Sequence, residues 1–473
     1  MAAFPYKSAH FIGIGGVGMS ATAKLLRDSG VAVTGSDQAV YPPISDVLRE
    51  EGLVCRTPYD RQNIPDGVEC IVIGKNANLV PETNAEVAAA FARGCAILSF
   101  ADVLGMLSRG KTPVVIAGSF GKTTSVSLIS HCLSEAGLDP SWMIGAVPLS
   151  PPSAAHVGQG EYYLLEGDEY PSSNTDNSSK FLHYHPAHLI LTPLAHDHVN
   201  VFPTIESYLA PFHQLVDMVP DDGVIFASTG GELSKQFLTA ITRPLVTYGI
   251  SSGDWQVRDI AWGERTRFTI THNSNDIARV ETGQLGVHNI ENMLGIGAFV
   301  ISRGIVSAAK FAETMASFKG IKRRLDRKSD KTRIPIFEGF GSSYDKARSA
   351  IAAMKQHFGD RKLIVIFEPH TFSWRNRATM HWYDDVFEGA AKTFVWHPAE
   401  QGATTHEQVT QADIVARIAA AGYDVEALSE PVAALEEIGA ALSEDVAVLF
   451  LTSGNLGGLI ESVPKLAEMH LPV

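Results

Sequence analysis

The sequence predicts an α/β protein of three domains, each built on a mainly parallel sheet. Short apolar runs alternate with helical patterns along the chain, as expected for parallel strands joined by helices. Its 473 residues exceed what one hydrophobic core usually supports. Glycine-rich loops at 13–18 and 118–124 each stand between an apolar run and a helical pattern, which indicates that an α/β domain begins at each loop. A third α/β domain is predicted in the C-terminal part of the chain.

We place the three domains at residues 1–110, 111–326 and 327–473. The first opens with HFIGIGGVGMSATAKLLRDSG and VAVTGSD, which predict a strand, a glycine turn, a helix and a second strand. The second opens at Lys111 within RGKTP, where Gly and Pro precede a new apolar strand. The third follows the polar stretch FKGIKRRLDRKSDKTR, and its strand-like runs IPIFEGF, KLIVIFEP and VAVLFLTSG alternate with alanine-rich helical patterns.

The composition disfavours several classes of partner. The chain has 45% hydrophobic and 19% charged residues, which is typical of folded globular proteins. A formal net charge of -14 disfavours nucleic acid, because a surface of that sign repels the phosphate backbone. No apolar run approaches the roughly 20 residues of a membrane span, and no signal peptide is recognisable. We therefore expect a cytoplasmic protein with small-molecule partners, no nucleic acid and no membrane.

The first glycine loop contains Gly13, Gly15, Gly16 and Gly18 between a strand and a helix. Missing side chains let backbone N–H groups and the helix N-terminus approach a diphosphate. The same pattern fits a dinucleotide such as NAD, or a tight turn without a ligand. Asp37, near the end of the second strand, fits either a ribose contact or a cap. The glycines alone leave these alternatives open.

The second loop follows the apolar strand VVIA and precedes the helical pattern SVSLISHCL, which is the context of a phosphate loop. Backbone amides would surround the phosphates of ATP, the lysine would neutralise the β and γ groups, and the first threonine would hold Mg²⁺. The loop is shorter than the full GxxxxGK[ST] pattern. The candidate ATP-binding residues are Gly118, Ser119, Gly121, Lys122, Thr123 and Thr124.

Two further clusters supply the groups that a magnesium-nucleotide site needs. Glu166 stands at a strand end in LLEGDEY, beside Asp168 and Glu169, and Asp197 and His198 follow the strand in LILTPLAHDHVN. Ligands bind at the carboxyl edge of parallel sheets, where both clusters are expected to lie. Carboxylate oxygen suits Mg²⁺, and an imidazole can complete a second metal shell.

The chain resembles the Mur ligases, and the resemblance covers essentially its whole length. It is carried by HFIGIGGVGMS, GSFGKTT, EGDEY, HDHVN, HNIEN and KRRLD, in the order and spacing of the family. The resemblance implies a Rossmann-like N-terminal domain for a UDP-sugar, a P-loop ATPase-like central domain, and a Rossmann-like C-terminal domain for an incoming amine. It also implies an ATP-dependent amide-bond ligase that works through an acyl phosphate.

Within the family, three segments point to two different amines. VTGSDQAVYPPIS and SSKFLHYHPAHLILTPLAHDHVNVF are most similar to members that attach L-alanyl-γ-D-glutamyl-meso-diaminopimelate to UDP-N-acetylmuramate, in peptidoglycan recycling. FEPHTFSWRNR is similar to members that add L-alanine to the same nucleotide sugar. The resemblance thus implies a UDP-N-acetylmuramate-type carboxylate as one substrate and a peptide or amino acid as the other, with the peptide preferred.

The resemblance also assigns roles residue by residue. It implies that the first glycine loop and Asp37 hold UDP, and that the second loop holds ATP. The remaining roles are metal binding by Thr123, Glu166 and His198, adenine contact by Asn289 and Asn292, phosphate contact by Arg324, and amine binding by His370 and Arg375. Lys122, Glu166, His198 and Arg324 are the expected catalytic residues.

The chain departs from the family at two places. Phe120 stands where members usually have His, and EGFGSSY at 338–344 replaces a motif resembling DDFAHHP. Gly339 thereby replaces the aspartate expected at the ATP ribose, with Glu338 as a candidate substitute. The alternatives are a ligase with another substrate pair, a non-catalytic nucleotide-binding paralogue, or a dehydrogenase. The sequence leaves open the amine, carbamylation of Lys180 and the oligomeric state.

Overall fold

The protein is described here by a computed structural model that covers residues 4–41, 44–198, 201–398 and 408–473. In these ranges helices alternate with strands of three sheets, which have five, ten and six strands. The predicted α/β class is confirmed. Across the same ranges, every helix is too short or too polar to cross a membrane.

The first sheet is wholly parallel, with the order β3-β2-β1-β4-β5. Its strands are β1 (Ser8–Ile12), β2 (Ala32–Ser36), β3 (Val54–Arg56), β4 (Cys70–Ile73) and β5 (Ala96–Leu98). The helices are α1 (Val17–Asp28), α2 (Ile44–Glu50), α3 (Ala85–Ala92) and α4 (Phe100–Ser108), with a 3₁₀ helix at Arg61–Asn63. The glycine loop joins β1 to α1, as the sequence predicts.

The second sheet has the order β15-β14-β13-β12-β11-β10-β6-β9-β7-β8. Its strands are β6 (Thr112–Ala117), β7 (Ser141–Met143), β8 (Ala155–His156), β9 (Tyr162–Gly167), β10 (His188–Leu191), β11 (Val224–Ser228), β12 (Val246–Tyr248), β13 (Trp255–Ala261), β14 (Thr266–His272) and β15 (Asn275–Thr282). The helices are α5 (Lys122–Glu135), α6 (Ile205–Met218), α7 (Ser234–Ala240), α8 (Val287–Ser302) and α9 (Ala308–Ser317), with a 3₁₀ helix at Lys180–His183. Parallel pairing joins β6 to both β9 and β10, so their carboxyl ends share one edge.

The third sheet has the order β16-β17-β21-β18-β19-β20, and only the β16–β17 pair among its described ladders is antiparallel. Its strands are β16 (Arg324–Arg327), β17 (Ile336–Phe340), β18 (Lys362–Phe367), β19 (Lys392–Val395), β20 (Val425–Ala427) and β21 (Val446–Thr452). The helices are α10 (Tyr344–His357), α11 (Phe372–Arg375), α12 (Gln411–Ala420), α13 (Pro431–Ala441) and α14 (Leu459–His470), with 3₁₀ helices at Arg377–Asp384 and Leu456–Gly458.

The central strands of the third sheet are apolar because helices cover both faces. Alternate residues of β18 enter two different cores: Val365 packs on one side of the sheet, and Ile364 and Ile366 pack on the other. The seven residues of β21 are all buried. This explains why KLIVIF and VAVLFLT are continuous apolar runs instead of alternating patterns, and why the sequence identifies them as strands.

Contacts divide the chain into two compact units. The first unit consists of Met1–Arg258, Thr269–Val280 and Ile290–Phe318, and the second consists of Asp259–Phe268, Glu281–Asn289 and Lys319–Val473. Within the first unit, Ala21 and Leu25 of α1 share a core with Met143 of β7, so helix α1 packs against the second sheet. The domain limits at 110/111 and 326/327 stay predictions, and the second of them falls inside β16.

Candidate active site

The phosphate loop connects β6, a strand with five fully buried residues, to the 14-residue helix α5. The helix begins at Lys122, and Gly121 is its N-cap. Gly118 and Gly121 have φ angles of 139° and 85°, which glycine adopts without strain. A glycine N-cap has no side chain to occupy the first N–H groups of the helix, so these groups can bind an anion. The local structure is that of a phosphate-binding loop.

The variant Gly121→Ala tests the tight packing of this loop. An added Cβ would lie 2.2 Å from Oδ1 of Asn292, and the positive φ adds strain of about 1 kcal/mol. We expect a lower melting temperature and an ATP KM raised about tenfold, measured by thermal unfolding and ADP release. Gly30→Ala is the matched control, since Gly30 has a φ of 89° but an added Cβ meets no described atom within 4 Å. Equal effects on KM would contradict this role of the loop.

Lys122 lies between the phosphate loop and the segment that follows β9. Its Nζ donates to the carbonyl oxygen of Gly118 at 2.5 Å and to Oε2 of Glu169 at 2.8 Å. Glu169 is fully buried, and burial raises the pKa of its carboxyl group although the Lys122 ammonium opposes that shift. Its Oε1 makes no hydrogen bond within the described part of the chain. Glu169 therefore holds Lys122 in place, a role that the sequence analysis did not assign.

Thr123 and Glu166 offer oxygen atoms beside the phosphate loop. Oγ1 of Thr123 donates to Oε1 of Glu166 at 2.7 Å, and the Gly145 amide donates to Oε2 at 2.9 Å. Hydroxyl and carboxylate oxygens suit Mg²⁺, which usually keeps several waters and takes further oxygens from substrate phosphates. These two donors fit a magnesium ion that binds together with ATP. Groups of three His, Cys, Asp or Glu residues suited to a metal are absent from the described ranges, so an all-protein cage is not present there.

His198 contacts Glu169, whereas the resemblance predicts that it binds a metal ion together with Glu166. Its Nε2 is 3.4 Å from Oε1 of Glu169, and its Nδ1 is 3.0 Å from the hydroxyl of Tyr170. The backbone of His198 has a φ of 58°, an uncommon conformation for a residue with a side chain. The structure thus brings His198, Glu169 and Lys122 into one chain of polar contacts. Metal binding by His198 stays a prediction.

Lys180 is held by a carboxylate in the same region. Its Nζ donates to Oδ2 of Asp168 at 2.5 Å and lies 5.2 Å from the centre of the Phe100 ring. Burial alone would raise the pKa of Asp168, but the Lys180 ammonium holds that pKa below its usual value. As described, Lys180 is a paired cation next to an aromatic ring, and its carbamylation remains untested.

Asp37 lies directly on the first glycine loop. Its Oδ2 accepts a hydrogen bond from the Gly15 amide at 2.8 Å, and its Oδ1 accepts one from the Tyr59 hydroxyl at 2.9 Å. An added Cβ at Gly15 would lie 2.7 Å from the same Oδ2, so this close approach requires glycine. Of the two sequence interpretations of Asp37, capping is not observed, because Gly16 is the N-cap of α1 and no side chain caps this helix. Binding of UDP by the loop and by Asp37 stays a prediction.

In the second unit, Glu338 forms ion pairs with Lys328 and Arg323. The side chain is buried on β17, with its Oε2 2.7 Å from Nζ of Lys328 and its Oε1 3.2 Å from Nε of Arg323. A carboxylate held in this way is poorly placed to replace the aspartate expected at the ATP ribose.

Arg324 is exposed at the start of β16, and Nδ2 of Asn289 donates to the Leu285 carbonyl oxygen at 2.8 Å.

His370 and Arg375 follow β18, as predicted, but their surroundings differ. The side chain of His370 is 28% exposed and its Nδ1 lies 3.3 Å from Oε1 of Glu368. Arg375 is only 3% exposed, and its guanidinium donates to Oε1 of Gln408 at 3.3 Å. The burial of Arg375 was not predicted, because α11 is a single turn and is too short for periodicity to indicate its buried face. His370 is the more accessible of the two candidates for amine binding, and both assignments stay predictions.

Residues 8–112 match the Mur ligase family, catalytic domain, and residues 116–300 match the Mur ligase middle domain. The UDP-N-acetylmuramate–L-alanine ligase of Hydrogenobaculum sp. (strain Y04AAS1) is 30% identical over 391 residues, covering 82% of this chain and 84% of that protein. The chain belongs to the Mur ligase family. It is accordingly an ATP-dependent ligase that forms C–N bonds and acts on small molecules.

Solved Mur ligase structures have the same three-domain fold. The UDP-N-acetylmuramate-alanine ligase of Thermotoga maritima aligns with a TM-score of 0.75 at 21% identity, over 98% of this chain and 99% of that one. The UDP-N-acetylmuramate:L-alanyl-γ-D-glutamyl-meso-diaminopimelate ligase of Neisseria meningitides aligns with a TM-score of 0.61 at 28% identity, over 67% of this chain and all of that one. The predicted family and fold are confirmed. Relatives of both substrate types are found.

Proposed function

We propose that this Mur ligase joins the carboxylate of a UDP-N-acetylmuramate-type nucleotide sugar to the amino group of a short peptide, in peptidoglycan recycling. The observation that carries the proposal is the cluster at the carboxyl edge of β6 and β9, where Lys122, Thr123 and Glu166 surround a phosphate loop. The relatives named above supply the substrate class, since all three of their names include UDP-N-acetylmuramate.

In the proposed reaction the sugar carboxylate attacks the γ-phosphorus of ATP. ADP leaves, and the product is an acyl phosphate. Lys122 and the first N–H groups of α5 stabilise the negative charge on the transferring phosphoryl group. Thr123 and Glu166 would hold Mg²⁺, which supplies further charge neutralisation at the phosphate oxygens. Asn289, Asn292 and Arg324 keep their proposed contacts with ATP, and His198 remains a candidate metal ligand.

In the second step an amine attacks the acyl carbon and phosphate leaves. The preferred amine is L-alanyl-γ-D-glutamyl-meso-diaminopimelate, because of the central-domain segment SSKFLHYHPAHLILTPLAHDHVNVF and the Neisseria relative. Free L-alanine is the second candidate, because the Hydrogenobaculum relative is named as an L-alanine ligase and FEPHTFSWRNR is similar to such members. Both amines present an L-alanyl amino group, so one site can be tested with both.

An ADP-release assay with the tripeptide and with L-alanine in parallel distinguishes the amines. We expect ADP release to require ATP, Mg²⁺, UDP-N-acetylmuramate and an amine together, with kcat/KM higher for the tripeptide. UDP-N-acetylglucosamine is the matched control, since it lacks the lactyl carboxylate that must be phosphorylated. Equal or higher efficiency with L-alanine would overturn the tripeptide preference. ADP release that is independent of the sugar carboxylate would overturn the proposed reaction.

A further inference from the structure

A buried carboxylate lies behind His370, at the carboxyl end of β18. Glu368 is only 5% exposed although its side chain ends in a carboxyl group. Its Oε2 accepts hydrogen bonds from the Thr452 hydroxyl and from the Leu456 amide, the latter at 3.2 Å. Its Oε1 lies 3.3 Å from Nδ1 of His370. One oxygen of Glu368 is thus anchored to the segment after β21, and the other faces the imidazole.

The segment after β21 is shaped to admit both side chains. A Cβ added at Gly454 would lie 2.5 Å from Oε2 of Glu368 and 2.6 Å from Nδ1 of His370. Any residue larger than glycine would therefore displace the contact between the carboxylate and the imidazole. The close packing shows that the Glu368–His370 pair is built into the ends of two central strands, which pair in parallel.

The hydrogen bonds of Glu368 determine which nitrogen of His370 carries the proton. An amide N–H can only donate, so Oε2 is an acceptor toward Leu456. Oε1 of an ionised carboxylate also only accepts, and the neutral imidazole must then carry its proton on Nδ1. Nε2 is left as a proton acceptor. This is the arrangement by which a carboxylate orients a catalytic histidine.

We infer that Glu368 is a positioning residue that keeps His370 in the Nδ1-protonated form, so that Nε2 of His370 accepts a proton from the incoming amine. The inference rests on the proposed function, because it requires an amine substrate. An amino group is mostly protonated at neutral pH and has no lone pair for attack. Its deprotonation is therefore a step that the second half of the reaction needs.

The proton balance of this step is complete. The ammonium group of the substrate gives one proton to Nε2 of His370, and the imidazolium formed is stabilised by the Glu368 carboxylate. The free amine forms a C–N bond with the acyl carbon, and the bond from that carbon to the phosphate oxygen breaks. The nitrogen loses its remaining extra proton to the departing phosphate, so no further reactant is needed.

Glu368→Gln is expected to reverse the tautomer of His370. The glutamine oxygen must face the Leu456 amide, which places the glutamine NH₂ group toward Nδ1 of His370. Nδ1 of His370 then accepts a hydrogen bond from this NH₂ group, and the neutral imidazole carries its proton on Nε2. We expect kcat to fall about 100-fold, with the KM values for ATP and the nucleotide sugar changed by less than about twofold. Glu388→Gln is the matched control, because it removes an exposed carboxylate paired with Arg348 in the same unit.

The decisive measurement is the ¹⁵N NMR spectrum of the histidine-labelled full-length protein, recorded where the ring is neutral, with His370 assigned from His370→Gln. We expect Nδ1–H in the wild type and in Glu388→Gln, and Nε2–H in Glu368→Gln. Nε2–H in the wild type would overturn the inference even if the Glu368 variant does not fold. Unchanged kcat in a folded Glu368→Gln would also overturn it. If the NMR spectra show the expected tautomers but the protein ligates no amine, the proposed function alone is overturned.

Discussion

Lys122→Ala should lower kcat for ADP release by about 1000-fold or more, while the protein stays folded. The lysine is the first residue of α5, and its Nζ lies 2.5 Å from the Gly118 carbonyl oxygen of the phosphate loop. Its removal takes away charge that the transition state of phosphoryl transfer needs. Retained turnover, measured with saturating ATP and nucleotide sugar, would show that the phosphate loop has been wrongly assigned.

The same variant should be less stable in a pH-dependent way, because it leaves Glu169 buried without its cation. Burial already raises the pKa of Glu169, and loss of the Lys122 ammonium raises it further. A carboxyl pKa raised by folding means that the native state holds the proton more tightly than the unfolded state does. The stability difference from wild type should therefore be small below about pH 4 and should grow as the pH rises through the raised pKa.

The double variant Lys122→Ala/Glu169→Gln separates the catalytic effect from the structural one. Replacing the buried carboxylate by a neutral amide removes the charge that Lys122 compensated. Chemical unfolding between pH 4 and pH 8 should show that the pH dependence of the single variant is lost. The kcat should remain low, since the phosphate-facing cation is still absent. Recovery of activity would mean that Lys122 acts only by neutralising Glu169.

The sequence predicted the parts of the site that are local and missed those that depend on distant pairing. The strand, the glycines and the lysine of the phosphate loop are consecutive, and their pattern alone indicates an anion site. The position of Glu166 follows from the parallel pairing of β6 and β9, which brings the two strand ends to one edge. Glu169 is two residues beyond β9, where periodicity no longer indicates which side chains are buried.

The third domain shows a similar limit. The apolar strands β18 and β21 were predictable, whereas β16 lies in a basic and polar stretch for which the sequence predicts no strand. Its pairing with β17 sets Asp326 opposite Glu338, and Lys328 contacts both carboxylates, an arrangement that only the folded register reveals. The burial of Arg375 likewise results from contacts with a segment 33 residues away in the chain. Local propensity cannot report such long-range contacts.

Glu166→Gln should raise the Mg²⁺ concentration needed for half-maximal activity and lower kcat by about 100-fold. Glutamine has nearly the same shape, and its oxygen can accept from the Gly145 amide while its NH₂ group donates to the Thr123 hydroxyl. The local structure should therefore persist. The charge that attracts the cation is lost, and the Thr123 hydroxyl becomes occupied by a donor. ADP release titrated with Mg²⁺ at fixed ATP measures both effects.

Glu161→Gln is the matched control for this substitution. Glu161 also accepts a hydrogen bond from a threonine hydroxyl, that of Thr112 at 3.0 Å, but it is exposed and precedes β9 instead of ending it. The carboxyl edge of a parallel sheet binds the ligand, so loss of a charge at the opposite end of the same strand should leave the Mg²⁺ dependence unchanged. If the two variants had equal Mg²⁺ requirements, Glu166 would not be a metal ligand, and Thr123 would have to hold the ion with ATP phosphates and water alone.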